Sequence, residues 1–229
     1  MKLKQIFIAL SLTAFLTSCD KDETPQATSS VNVIHASPDA PGVDLLVDNL
    51  KVNTAALNFP EATGYLKVSA GTRNIKINAT GTNNSVINAN LTFSADKYYS
   101  VFAYNQLASI AAILVEDNLE VPATGQAHIR FFHLSPDAPA VTVGTLSGTT
   151  FTPVFANRSF ETQTTASANQ SFTPVAAGTY TFDVQANGAS VLTLSNIVLQ
   201  AGKIYTVFAK GLVSGAGSQA LGAQIVTHN

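Results

Sequence analysis

The chain has 229 residues, of which 46% are hydrophobic and only 11% are charged, so it can build a large buried core. Its net charge is −2, and its twelve lysines and arginines are scattered singly along the chain. This distribution argues against a nucleic-acid partner, because nucleic-acid-binding proteins present clustered positive charge.

The first eighteen residues have the pattern of a secretory signal peptide. Lys2 and Lys4 precede an apolar run from residue 6 to 16, which is shorter than the roughly 20 apolar residues that span a membrane. The sequence LTSC (16–19) resembles a bacterial lipobox, which implies cleavage before Cys19 and lipidation of that residue. Cys19 is the only cysteine, so no internal disulfide can form. The alternative is an ordinary signal peptide with an unrelated cysteine.

Residues 19–30 are predicted to be a lipidated, flexible tether. Lys21, Asp22 and Glu23 resemble the export signal of surface lipoproteins in some Gram-negative bacteria. In other bacteria, an aspartate in the place of Asp20 retains a lipoprotein at the inner membrane, and a merely solvated acidic tether is a third interpretation. We expect an outer-membrane lipoprotein that is displayed at the cell surface and attached to the membrane through its N-terminal lipid.

Three sequence blocks occur twice, in the same order. The pairs are HASPDAP (35–41) with HLSPDAP (133–139), SAGTRNIKI (69–77) with AAGTYTFDV (176–184), and ADKYYSVFAY (95–104) with AGKIYTVFAK (201–210). The second copy carries about nine additional residues, within 148–170. This pattern is typical of a tandem duplication. It predicts repeats at 31–118 and 127–229, joined by a linker at 119–126.

Within each copy, apolar side chains recur at every second position, which is the pattern of β-strands. Val43, Leu45 and Val47 alternate with their neighbours, and the segment 180–184 does the same. Roughly seven short strands fit in each copy, a number and size typical of an immunoglobulin-like sandwich. We therefore predict an all-β protein with two tandem immunoglobulin-like antiparallel β-sandwich domains. The cysteine and tryptophan markers of antibody domains are absent.

These motifs together resemble a known family. A valine-rich strand that leads into His-x-Ser-Pro-Asp-Ala-Pro, followed by VDLLVD (43–48), an Ala-Gly-Thr strand and YSVFAY (99–104), is similar to the domain-of-unknown-function 4397 family. The resemblance covers nearly all of 31–229 as two copies and implies a bacterial secreted or surface protein without an established reaction. The second copy lacks the acidic residues Asp44 and Asp48, so both copies cannot share a role that depends on them.

A catalytic or metal-binding role is not expected for the repeated motif. A Ser/His/Asp triad needs side chains that converge in space, whereas this motif crowds all three into five residues on both sides of a proline. No Gly-x-Ser-x-Gly sequence is present. His35 with Asp39, or His133 with Asp137, supplies fewer ligands than zinc or calcium usually takes, unless other loops contribute. We predict no catalytic residue, no metal, no cofactor and no enzymatic activity.

A structural turn accounts for the motif with fewer assumptions. Serine and proline occupy their preferred positions in a turn, aspartate accepts backbone N–H groups, the second proline ends pairing, and histidine donates to a carbonyl. The predicted turn residues are His35, Ser37, Pro38, Asp39 and Pro41 in the first copy, and His133, Ser135, Pro136, Asp137 and Pro139 in the second.

The expected function is binding or adhesion, with a glycan, protein or matrix ligand. Tyr65, Tyr98, Tyr99 and Tyr104 are candidates for a sugar-stacking surface or for the core, and residues 157–171 for a contact loop or a mobile hairpin tip. The alternative is a structural spacer or coat component without a small-molecule ligand. A hydrolase is the least favoured class.

Overall fold

The computed structural model describes residues 26–229. Cys19, Lys21, Asp22 and Glu23 lie outside these described residues, so the lipidation site and the export signal stay predictions. Within the described part of the chain, no helix is both long enough and apolar enough to cross a membrane.

The first half is a sandwich of two four-stranded sheets. Its strands are β1 (Thr28–Ala36), β2 (Val43–Val47), β3 (Leu50–Lys51), β4 (Ala62–Ser69), β5 (Gly71–Ala79), β6 (Ser85–Phe93), β7 (Tyr98–Tyr104) and β8 (Ala111–Glu116). One sheet has the order β4-β1-β7-β8 and the other β3-β2-β5-β6. All pairings are antiparallel except that of β1 with β7, which run in the same direction side by side.

The second half repeats this arrangement strand for strand. Its strands are β9 (Gln126–His133), β10 (Val141–Ser147), β11 (Thr150–Arg158), β12 (Thr173–Ala176), β13 (Gly178–Ala186), β14 (Ala189–Leu199), β15 (Ile204–Lys210) and β16 (Gly222–Thr227). The sheet orders are β12-β9-β15-β16 and β11-β10-β13-β14, and β9 runs parallel to β15. The predicted all-β sandwich architecture is therefore confirmed.

One short helix interrupts the strands of the second half. Helix α1 (Gln163–Ala168) begins at Thr162, whose side chain and that of Thr165 form a reciprocal capping box. With six residues, the helix is too short to show the repeating apolar stripe by which a helix is recognised in a sequence. Single 3₁₀ turns occur at Leu107–Ser109 and Gly217–Gln219.

The two halves pack against each other through β4-β1-β7-β8 and β12-β9-β15-β16, which we call the inner sheets. Strand β1 is buried on both faces: Val33 belongs to the core of its own sandwich, whereas Ile34 belongs to a cluster between the halves. In that cluster the ring of Phe102 lies 5.4 Å from the ring of Phe132 and 6.0 Å from that of Phe208. The four sheets thus form four layers with three hydrophobic cores. Residues 26–229 contain three hydrophobic cores of their own, as independently folding units do.

The inner sheets face each other with β1 and β9 running in the same direction. Ile34 pairs with Phe102, which contacts Phe132, and the rings of Tyr104, where β7 ends, and His133, where β9 ends, both contact Phe160. Both copies of the His-x-Ser-Pro-Asp-Ala-Pro motif therefore lie at one end of the molecule, here called the distal end. Thr28, where β1 begins, is at the opposite end, about 30 Å away along a nine-residue strand.

Candidate functional site

The two motif histidines make the same contact in each half. His35 Nε2 lies 3.0 Å from the carbonyl of Pro41, and His133 Nε2 lies 2.9 Å from that of Pro139. A carbonyl only accepts, so Nε2 carries the proton and donates. Both rings are fully buried, and burial lowers the pKa of both histidines, which favours the neutral form.

The motif aspartates hold the loop that follows the parallel strand. Asp39 Oδ1 accepts from the backbone N–H of Leu107 at 2.7 Å, and Asp137 accepts from that of Val213 at 3.0 Å. These loops join β7 to β8 and β15 to β16. Each motif therefore fastens a second loop at the distal end, in addition to closing its own.

The motif serines are not connected to the histidines. Ser135 Oγ donates to the carbonyl of Gly211 at 2.8 Å, and within residues 26–229 Ser37 Oγ has no hydrogen-bond partner. Pro38 is buried and Pro136 half-buried beside them. No group of three or more metal-ligating side chains occurs among the described residues. The geometry offers structural contacts and no relay from serine to histidine.

We expect the Asp39→Ala variant to lose about 1 kcal/mol of unfolding free energy, because the N–H of Leu107 loses a charged acceptor at a partly exposed position. Urea denaturation measures this loss. Glu120→Ala is the control, since that side chain is exposed and only its backbone N–H is bonded. Equal stability of the two variants would contradict the anchoring role.

A closed ring of buried polar side chains joins the two halves. Arg130 Nη2 donates to Asp117 Oδ1 at 2.5 Å, and Arg130 Nε donates to Thr206 Oγ1 at 2.8 Å. Thr206 Oγ1 lies 2.6 Å from His228 Nε2, His228 Nδ1 lies 2.7 Å from the hydroxyl of Tyr65, and that hydroxyl donates to Asp117 Oδ2 at 2.6 Å. Tyr65 and Asp117 belong to the first half, and the other three residues to the second.

One assignment of donors and acceptors satisfies every hydrogen bond in this ring of side chains. The single hydroxyl proton of Tyr65 goes to Asp117, so His228 must donate from Nδ1 and accept at Nε2 from Thr206. Burial lowers the pKa of His228 to about 4, which keeps its imidazole neutral, as this pattern of donors and acceptors requires. Burial, aided by the Asp117 carboxylate, raises the pKa of Tyr65, so its hydroxyl keeps its proton.

The segment between β11 and β12 closes the interface between the halves. The side-chain amide of Gln163 accepts from the N–H of Leu114 and donates to its carbonyl, both at 2.8 Å. Gln170 Oε1 accepts from the N–H of Glu116 at 3.2 Å. The two glutamines therefore satisfy the free edge of β8 as a neighbouring strand would. The additional residues of the second copy bind the first half.

The candidate tyrosines do not form a common surface. Tyr99 and Tyr104 are buried in hydrophobic clusters, and Tyr65 belongs to the polar ring. Tyr98 alone of the four is exposed, at 39%. A single exposed ring offers no extended platform for stacking sugars.

An apolar cavity of about 560 Å³ opens at the distal end of the second half. It lies between the two sheets, on the side bordered by β14 and β16. Among the residues that line it are Phe131, Val141, Val184, Leu192, Ala209 and Ala223. His133 also lines the cavity, but its Nε2 is already bonded to Pro139. The volume is within the range of small-molecule sites.

The cavity and the polar ring were not predicted from the sequence. Arg130 stands alone in the otherwise apolar run IRFF (129–132). A charge in such a run is a signal of a buried pair, because arginine is almost never fully buried without a partner. The cavity has no comparable signal, since its lining is ordinary strand residues that come together only in three dimensions.

A family model described as a domain of unknown function (DUF4397) matches residues 29–144, which include nearly all of the first half and the beginning of the second. Among curated proteins, none matches the sequence. Among solved structures, the chain is similar to the family-26 carbohydrate-binding module CBMbc of Amy13K from Eubacterium rectale, determined in complex with maltoheptaose. The identity is 10%, covering 87% of this chain and 96% of that chain, with a TM-score of 0.26. A likeness at this TM-score supports no conclusion about function.

Proposed function

The chain belongs to the family of domain of unknown function 4397 (DUF4397), and from this premise we propose that it is a non-catalytic, lipid-anchored protein of the cell envelope that binds an extracellular partner. The observation that carries the proposal is the position of the open cavity. It lies at the distal end, opposite Thr28, where β1 begins; residues 28–30, predicted as the end of the tether, already belong to this strand. A tether attached there presents the cavity away from the membrane.

Within this proposal, residues 31–118 and 127–229 are tandem copies of one domain, joined by residues 119–126. Two observations support the duplication. The sheets of both halves have the same strand order, and the histidine and aspartate of the motif make the same contacts in each. The copies have diverged in one respect that matters for binding, since the cavity belongs to the second.

Lipid anchoring is tested by the Cys19→Ala variant. In the native host, we expect the wild-type protein in the membrane fraction and the variant released from it, because the acyl chains supply the attachment. Protease added to intact cells should digest the wild-type protein if it is displayed at the surface. A variant that stays with the membranes would contradict lipidation at Cys19, and protection in intact cells would contradict surface display.

A structural spacer is the second candidate, and the interface between the halves favours it. The polar ring and the two glutamines fasten the sandwiches into one stiff body, as a spacer requires. Val191 and Val213, both exposed at the cavity mouth, discriminate between the candidates. If the protein is a binding module, cells that display the Val213→Asp variant should no longer bind the extracellular partner, although the variant is still present at their surface. A spacer would tolerate the change.

A further inference from the structure

We propose that the cavity of the second half binds the aliphatic chain of a neutral amphiphile. This inference deepens the proposed function and rests on it, because it assigns a ligand class to the same cavity. The cavity lining, the filled space in the first half and the shape of the cavity mouth support this ligand class.

The lining selects against a charged ligand. Its side chains are aliphatic or aromatic except for His133 and Asn187, and none carries a formal charge at neutral pH. Burying an unpaired charge here would be strongly unfavourable, whereas an alkyl group gains the free energy of leaving water. Asn187 is exposed in the turn between β13 and β14. Its amide can hydrogen-bond a polar neutral head group at the mouth.

The first half fills the corresponding space with its own aliphatic side chains. Ala112 pairs with Ala103 as Ala223 pairs with Ala209, so the residues two positions earlier, Ile110 and Leu221, correspond. Ile110 packs against the core of the first half, whereas Leu221 lines the open cavity. The first half thus closes this space because its alkyl group packs into the core, whereas the corresponding Leu221 stays at the open cavity.

The same difference appears on the opposite sheet. Ile87 pairs with Ile77 as Leu192 pairs with Val184. Val86, which precedes Ile87, packs against the first core, whereas the corresponding Val191 is 47% exposed at the cavity mouth. The second half therefore lacks aliphatic filling from both sheets.

A longer loop holds the mouth open. Residues 105–110 connect β7 to β8, whereas residues 211–221 connect β15 to β16. The longer loop carries Val213, which is 56% exposed and fixed in place by Asp137. In the first half β6 and β8 come together and close this side, whereas β14 and β16 approach each other less closely. The opening is therefore built into the backbone.

The deep side of the cavity is apolar, which suits an alkyl chain. Phe131, Val184 and Ala223 line both the cavity and a separate small void of about 20 Å³ deeper between the sheets. An alkyl group that enters at the mouth therefore meets apolar side chains of both sheets. A broad peptide surface cannot enter it and would contact only the rim.

The test uses residues 20–229 and the neutral fluorescent probe N-phenyl-1-naphthylamine, which brightens in apolar sites. We expect saturable binding that decan-1-ol displaces. Ala223→Leu should weaken probe binding about tenfold, since its added methylenes occupy the cavity. Ala112→Leu, the same change at the corresponding position of β8, should leave binding unchanged. Val198→Leu, exposed and outside the cavity, is a second control in case Ala112→Leu does not fold.

The alkyl chain could belong to a membrane lipid or to a free amphiphile. A second experiment with phosphatidylcholine vesicles distinguishes these two sources. Sedimentation with vesicles that Ala223→Leu abolishes would identify a membrane lipid, whereas displacement by decan-1-ol alone would identify a free amphiphile. Equal probe affinity of the wild type and Ala223→Leu would overturn the proposal. A third outcome separates this inference from the proposed function. If neither the probe nor decan-1-ol binds, but Val213→Asp still prevents cells from binding the extracellular partner, the ligand class is wrong. The partner is then a peptide or protein that contacts the rim, and the proposed function stands.

Discussion

Replacing Arg130 with methionine is expected to lower the free energy of unfolding by about 3 to 5 kcal/mol, because the Asp117 carboxylate would stay fully buried without its cation. Both side chains of this pair are 0% exposed. The variant also leaves Thr206 and the carbonyl of Gln170 without their donor. Urea denaturation followed by far-UV circular dichroism measures the loss.

Two further variants separate the buried pair from ordinary ion pairs. Lys97→Met breaks the exposed bridge to Glu116, and we expect it to leave the free energy of unfolding nearly unchanged, because water screens this pair. The double variant Arg130→Met/Asp117→Leu removes both charges and should recover part of the stability lost in Arg130→Met. A double variant that is less stable than the single one would show that the isolated charge is not the cause.

Mild acid is expected to destabilise the protein through His228. Its pKa is about 4 in the folded protein, because burial disfavours the charged ring and Arg130 adds to the effect, against the opposing attraction of Asp117. The ordinary value is 6.5, so the unfolded chain binds a proton first as the pH falls. The stabilisation is complete above pH 6.5 and is lost as the pH falls towards 4. The loss amounts to about 3 kcal/mol.

His228→Gln should remove most of this pH dependence while lowering stability at pH 7.5. Urea unfolding at pH 7.5, 6.0 and 5.0 measures both effects. The lowered pKa values of His35 and His133 have the same sign and leave a smaller residual slope. The depressed pKa values of Asp44 and Asp183 act below about pH 4 and do not interfere. An unchanged slope in His228→Gln would exclude this histidine as the acid-sensitive group.

The strand pattern was predictable because it is local. Apolar side chains recur at every second position in Val43, Leu45 and Val47, so a few neighbouring residues suffice to predict the strand. This spacing is expected wherever one face of a strand packs against a core. The parallel pairing of β1 with β7 was not predictable, because it joins residues about 70 positions apart. Nor was α1, whose cap uses two threonines within one short turn.

The residues of the candidate site also divide into those predictable from nearby sequence and those that depend on distant parts of the chain. The motif residues were identified because their pattern occurs twice, and their contacts with Pro41 and Pro139 lie within six residues of each histidine. The ring of Arg130, Asp117 and His228 and the cavity arise from side chains that approach only after both sandwiches have formed. Residues 157–171 were interpreted as a contact loop or a mobile tip, and instead they bind β8 through Gln163 and Gln170.

The β-strands and the repeated turn motif were predictable from the residues alone, and lipid attachment is expected from them, since each depends on neighbours along the chain or on a short linear signal. The three-dimensional packing was needed to show that two inner sheets bury a shared core, that a closed polar ring joins them, and that one sandwich stays open where the other is filled. The physical reason is that packing depends on which faces meet. Residues as similar as Ile110 and Leu221 fill a core or line a cavity according to the length of the loop that carries them.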